Sequence, residues 1–159
     1  MPERIGVSPF SRALITRSRS LIGNVKSPSD GMLSSEYDNS EDTRGQILAN
    51  RGLGTATNVQ ATFTKGELQS NIRLYDVLKL PANVVLDSSM EFRSPAHLAS
   101  GQKFDLIRLR RATLELRGRT PTEISEIFAA CDREIKSVLI RFDYQDLFGN
   151  KQTPVRLAQ

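Results

Sequence analysis

Alternation near the C-terminus constrains the fold of this 159-residue chain more than any other feature. Val138, Ile140, Phe142 and Tyr144 alternate with Leu139, Arg141 and Asp143, the period-two pattern of a strand with one buried face. Asp146 and the pair Gly149-Asn150 follow and supply turn chemistry, because glycine and asparagine adopt positive φ at little cost. The stretch is predicted to be a β-hairpin. Pro154 lies beyond the turn and cannot donate to a ladder, so the last strand is expected at a sheet edge.

Similar patterns recur upstream. Val59, Ala61 and Phe63 oppose Asn58, Gln60, Thr62 and Thr64, and Lys65-Gly66-Glu67 reads as a turn. Residues 68–80 fit a short helix or an irregular strand equally well, Val84-Val85-Leu86 is a strand candidate, and Arg93–Gln102 is expected to be a loop. In the stretch that follows, Phe104 and Leu106 share one parity, Ile107 and Leu109 the other, and Ala112, Leu114 and Leu116 return to the first. Such changes predict a bulge, or two strands kinked at Arg110-Arg111. One helix is clearly signalled: Thr120 as N-cap, Pro121 at the first helical position and Glu123 completing a capping box. Ile124, Ile127, Phe128 and Cys131 then recur on one helical face. Short alternating strands, turn signals and one short helix predict a mainly β fold, an antiparallel β-sandwich over residues 46–159.

Residues 1–45 differ in character and are read as an extended polar arm or linker. Positions 1–29 carry Arg4, Arg12, Arg17, Arg19 and Lys26 against Glu3, a net +4. Positions 30–45 carry Asp30, Glu36, Asp38, Glu41 and Asp42 against Arg44, a net −4. Both halves are serine-rich with no sustained apolar period. The two halves suit a tether or clasp that meets complementary patches on a protein partner or a second copy of the chain, through salt-sensitive contacts.

Two segments carry a resemblance. Asn50-Arg-Gly-Leu-Gly-Thr-Ala-Thr-Asn-Val59 resembles the Asn-x-Gly-x-Gly-x-Ala-x-Asn-Val opening of an immunoglobulin-like domain found in many microbial proteins, and Ser100-Gly101 and Tyr144-Gln-Asp146-Leu-Phe-Gly149-Asn150 follow in that family's order. The resemblance spans roughly residues 46–157 and implies the sandwich fold, with no catalytic residues. Gly52 and Gly54 suit a tight turn, Ala56 suits a site beneath a neighbouring strand, and Asn58 suits a loop whose backbone groups need partners. The chain departs from the family in its polar arm, where members often carry a membrane helix, and in Lys151-Gln152, where an aromatic often follows the turn.

Chemistry is sparse. The single cysteine, Cys131, excludes an intrachain disulfide and a cysteine-rich metal site. His97 is the only histidine; no nucleophile elbow surrounds Ser94 or Ser100, so it reads as a solvated loop residue and Cys131 as a core thiol. Gly52-x-Gly54 is followed by a strand pattern where a phosphate-binding turn needs a helix. Asp143, Asp146 and Asn150 offer oxygens for a cation, yet fit ordinary turn chemistry better. No catalytic residue, metal ligand or cofactor site is therefore assigned. No run is apolar enough to span a bilayer and no secretory signal opens the chain. An intracellular setting, or a place within a larger assembly, is the expectation. The net charge of +4 and pI near 9.5 suit an acidic partner. A candidate binding patch combines Arg12, Arg17 and Arg19 with Arg108, Arg110, Arg111, Arg117 and Arg119, the residues a nucleic-acid-associated or coat-like subunit would use on phosphates.

Overall fold

The computed structural model describes residues 31–158. Along the chain run β1 (Leu33–Asp38), β2 (Thr43–Asn50), β3 (Ala56–Lys65), β4 (Leu68–Ser70), a 3-10 turn (Leu74–Val77), β5 (Ala96–Leu98), β6 (Lys103–Arg110), α1 (Arg111–Leu116), α2 (Pro121–Lys136), β7 (Leu139–Gln145) and β8 (Val155–Ala158). Strands hold 39% of the described residues and helices 21%, so the mainly β class holds. One sheet has the order β1-β2-β6; the other has the order β4-β3-β7-β8, with β5 also on β3. All the pairings are antiparallel.

The hairpin forms as the alternation requires. Val138, Ile140, Phe142 and Tyr144 are buried while Leu139 is exposed. These side chains meet Val59, Ala61 and Phe63 of β3 in one core with Leu48, Leu106, Ile107 and Leu109 of the other sheet. Phe92 bridges β3 and β7, its ring 6.2 Å from Phe63 and 6.3 Å from Phe142. The capping box at Thr120 and Glu123 is present, and Ile124, Ile127, Phe128 and Cys131 all face the core. The helix is longer than its sequence signal, 16 residues, because Ile135 adds a further buried turn.

Several expectations are corrected. The arm does not extend to residue 45: Leu33–Asp38 and Thr43–Asn50 pair as β1 and β2. β1 escapes a periodicity reading because its inward face is Leu33, Ser35 and Tyr37. Ser35 accepts from the buried Gln46 amide at 2.6 Å, and backbone pairing supplies the rest. Residues 1–30, with Arg12, Arg17 and Arg19, lie outside the described residues. Within 103–116 the first parity change is a bulge, since Gln46 opposes Ile107 and Ile47 opposes Asp105, leaving Leu106 extra. The second is a switch from strand to helix, α1, rather than a second strand. There the Asp87 carboxylate accepts from the Arg110 N–H at 2.7 Å and from the Thr113 hydroxyl, and Asp42 O accepts from the Arg111 N–H at 2.8 Å, tying the start of the helix to distant loops. Val84-Val85-Leu86 forms no strand; the following residues Asp87–Met90 instead hydrogen-bond along the outer edge of β6. The expected loop at 93–102 contains β5.

The two ends of the structure differ. Where β1 stops, β2 starts, β3 stops and β7 starts, α2 closes the opening between the sheets. Its Asp132 meets Tyr37 and Arg44, and its Glu134 meets Lys65. The opposite end holds the loops 50–56, 99–102 and 145–154 and the point where the described chain begins.

Candidate functional site

Two side chains organise the open loop end. Asn50, 1% exposed, accepts through Oδ1 from the Met32 and Gly52 N–H groups, each at 3.0 Å. Its Nδ2 donates to Gly54 O at 2.8 Å and Leu98 O at 2.9 Å. All four hydrogen-bonding positions of the amide are used, joining four separate backbone positions. Ser100 Oγ donates to Gly52 O at 2.6 Å, and Gly101, at φ 76°, donates its N–H to Asn50 O. Gly52 and Gly54 are not among the positive-φ residues; here their carbonyls and N–H serve as partners of Asn50 and Ser100. Asp146 plays the matching part in the β7–β8 turn. It accepts from the N–H groups of Phe148 and Asn150 and from the Asn150 amide, each at 2.8 Å. The Asn150 amide foremost, with the N–H groups of Asn150, Phe148 and Gly149, holds the Asp146 carboxyl below its ordinary value against the opposing effect of burial. Thr57 Oγ1 donates to Asp146 O at 2.9 Å, tying this turn to the start of β3. Asn58 has φ 50° within the β3 bulge and receives no side-chain role in the loop; its N–H points at His97 Nδ1, 3.4 Å away.

On these two loops sit apolar side chains left open by the described residues: Leu53 is 72% exposed, Leu147 66% and Phe148 87%, with Met32 44% exposed at the same end. The sequence reading missed these four. A signal existed, since Leu53 between two glycines and Leu147-Phe148 inside a turn have no strand face to join.

A second feature is a trough across the solvent face of β3, β7 and the connection to β8. A cavity of about 620 Å³ is lined by Asn58, Gln60, Arg141, Asp143, Gln145 and Gln152 among others. It adjoins a smaller one of about 280 Å³ through the shared residues Gln60 and Asp143. The second lies where the edge of β3 opposite β7 has no strand partner over residues 60–62, between β5 and β4. Arg141 grips Asp143 with Nη2 at 2.8 Å and Nε at 3.0 Å, fixing a planar donor–acceptor pair on the floor.

The arginine patch does not assemble as a free cationic face among the described residues. Arg108 pairs with Asp105 at 2.8 Å, Arg110 with Asp87 at 3.7 Å, Arg111 with Asp42 at 3.7 Å and Arg119 with Glu123 at 3.8 Å. Arg111 also lies over the Phe128 ring, as does Arg44 at 4.6 Å. Arg117 is exposed and has no ion pair among the described residues.

Neither His97 nor Cys131 gathers a reaction centre. His97 is exposed on β5. Cys131 is fully buried, and desolvation foremost pushes its thiol up to about 12, which keeps it protonated and inert. Burial, followed by the hydrogen bond to Asp132, likewise raises the Tyr37 hydroxyl. Asp143 and Asp146 do not converge on a cation, because Arg141 and the turn N–H groups occupy their oxygens. Among the described residues no cluster of His, Cys, Asp and Glu has metal-holding geometry, and no helix is long and apolar enough to cross a membrane.

Glu134 gives a pH signature. Burial works to raise its carboxyl, but Lys65, the Lys79 N–H at 2.8 Å and the charge of Arg133 outweigh it and hold the group below its ordinary value. The folded state therefore binds fewer protons than the unfolded chain in this range. Its contribution is complete above the usual glutamate pKa and is lost as pH falls through the lowered folded value. Urea midpoints measured between neutrality and pH 3 are expected to fall more steeply for the wild type than for Glu134→Gln. At neutral pH that variant is expected to be about 1–3 kcal/mol less stable.

Comparison of the chain with family models, curated proteins and solved structures gives no match in any of the three.

Proposed function

We propose that this chain is a non-enzymatic, immunoglobulin-like β-sandwich module of protein–protein assembly that holds an extended segment of a protein partner in the trough over β3 and β7. Strand order supports the immunoglobulin-like reading. β1-β2-β6 with the Asp87–Met90 edge, and β4-β3-β7-β8, parallel the A-B-E-D and C′-C-F-G sheets of such domains. The observation that carries the functional reading is the trough itself. Amide side chains of Asn58, Gln60, Gln145 and Gln152 line a channel of mixed polar and apolar surface on the sheet, and amides match both the donors and the acceptors of an extended backbone. A solvated floor with one internal ion pair, no nucleophile and no perturbed base suits recognition rather than turnover. The carboxylate partners of Arg108, Arg110, Arg111 and Arg119 leave a phosphate-binding role without comparable support.

Selection of displayed random peptides against the full chain tests this. Selected peptides are expected to bind the wild type and to weaken at least tenfold, the loss of about 1.4 kcal/mol, against Gln60→Lys and Asp143→Lys. Failure to select any peptide, or peptides indifferent to both substitutions, overturns the assignment of the trough.

A further inference from the structure

The open loop end combines two features, and of the residues that form them only Lys151 also lines the trough. Its apolar side chains project from separate loop tips rather than lining a pocket: Leu53 from the β2–β3 loop and Leu147 and Phe148 from the β7–β8 turn, all more than half exposed. The loops that carry them are tied down at their bases by the Asn50 and Asp146 hydrogen bonds. Around them the charge is one-sided. Arg51, Lys103 and Lys151 stand at this end, while the only carboxylate in loops 50–56, 97–103 and 145–153 is Asp146, buried in its own turn. Glu36 on β1 pairs with Arg51. The described chain also begins here, with Met32 bonded to Asn50, and the preceding positions 1–30 carry a net +3.

From this we infer that the loop end docks on an anionic lipid surface. Leu53, Leu147 and Phe148 enter the interface between head groups and acyl chains, and Lys103 and Lys151 meet the head-group phosphates and carboxylates. Protruding apolar tips ringed by cations are what a peripheral contact with a charged bilayer requires. The apolar area anchors and the cations concentrate the protein at the surface. A protein partner would be better served by a recessed pocket with a polar rim, and stacking on nucleic acid needs more than one aromatic ring.

Co-sedimentation of the full chain with phosphatidylcholine vesicles, with and without phosphatidylserine, tests the inference. Binding is expected only with phosphatidylserine and is expected to fall as salt rises. Phe148→Asp is expected to weaken it by about tenfold or more, and Lys151→Glu and Lys103→Glu by about fivefold or more each. Phe148 is exposed, so its variant should unfold at the wild-type temperature, which separates lost docking from lost folding. Gln60→Lys should leave vesicle binding unchanged, which keeps this surface distinct from the trough. Absence of binding to either vesicle overturns the inference. So does binding that depends on the lysines but ignores Phe148→Asp, an outcome that points to an acidic protein as the occupant.

Discussion

Replacing Phe142 with alanine is expected to destabilise the fold by about 3–5 kcal/mol, the largest effect of any single truncation considered for this chain. The ring is fully buried at the middle of β7, opposite Ala61 on β3, and lies against Phe92, which in turn lies against Phe63. Truncation removes the buried apolar area and leaves a void that the two flanking strands cannot close, since their register is fixed by pairing on both sides of β7. Urea unfolding followed by far-UV circular dichroism measures the change directly. Phe142→Leu should lose much less, about 1–1.5 kcal/mol, because most of the volume remains. A Phe142→Ala midpoint near that of the wild type would mean that this face of β7 is not packed as described.

Asn50→Leu is expected to destabilise by about 3 kcal/mol or more, although it exchanges a polar side chain for an apolar one of similar size. Four backbone groups lose their partner at once: the N–H of Met32 and Gly52 and the carbonyls of Gly54 and Leu98. Each buried group left unpaired costs about 1–3 kcal/mol, moderated where loop carbonyls can reach water. Asn50→Asp sharpens the test. It keeps the acceptor for Met32 and Gly52 but places an oxygen against two carbonyl oxygens, so it should be no more stable than the leucine variant. Thermal unfolding of the two variants beside wild type is the measurement. A small loss for both would show that the loop end is held by other contacts. Hydrogen exchange at Met32 and Gly52 is expected to accelerate in either variant.

Much of this fold is dictated by local chemistry. The period-two runs at 57–64 and 138–144 have one apolar face each, and any arrangement that buries that face must make them strands. Thr120, Pro121 and Glu123 satisfy the first turn of a helix among themselves, so α2 begins where it does whatever surrounds it. Asp146, Gly149 and Asn150 likewise close their own turn with bonds between neighbours in sequence.

Other features depend on partners far along the chain, which local patterns do not register. β1 has a weak apolar pattern and becomes a strand through pairing with β2. Residues 111–116 alternate like a strand but form α1, whose start is held by Asp87, some two dozen positions away. Asn50 was legible as a turn residue, while its role in joining residues 32, 52, 54 and 98 was not. The trough and the cationic, apolar loop end follow the same rule. Gln60, Arg141 and Asp143 are ordinary solvent-face residues until β3 and β7 are set side by side. Leu53 and Phe148 come to the same end of the fold because β3 and β7 pair antiparallel, with Thr57 opposite Gln145. Sequence alone determined which segments must bury one face. The tertiary structure decided which faces remain open, because exposure is set by the neighbours that the rest of the chain supplies.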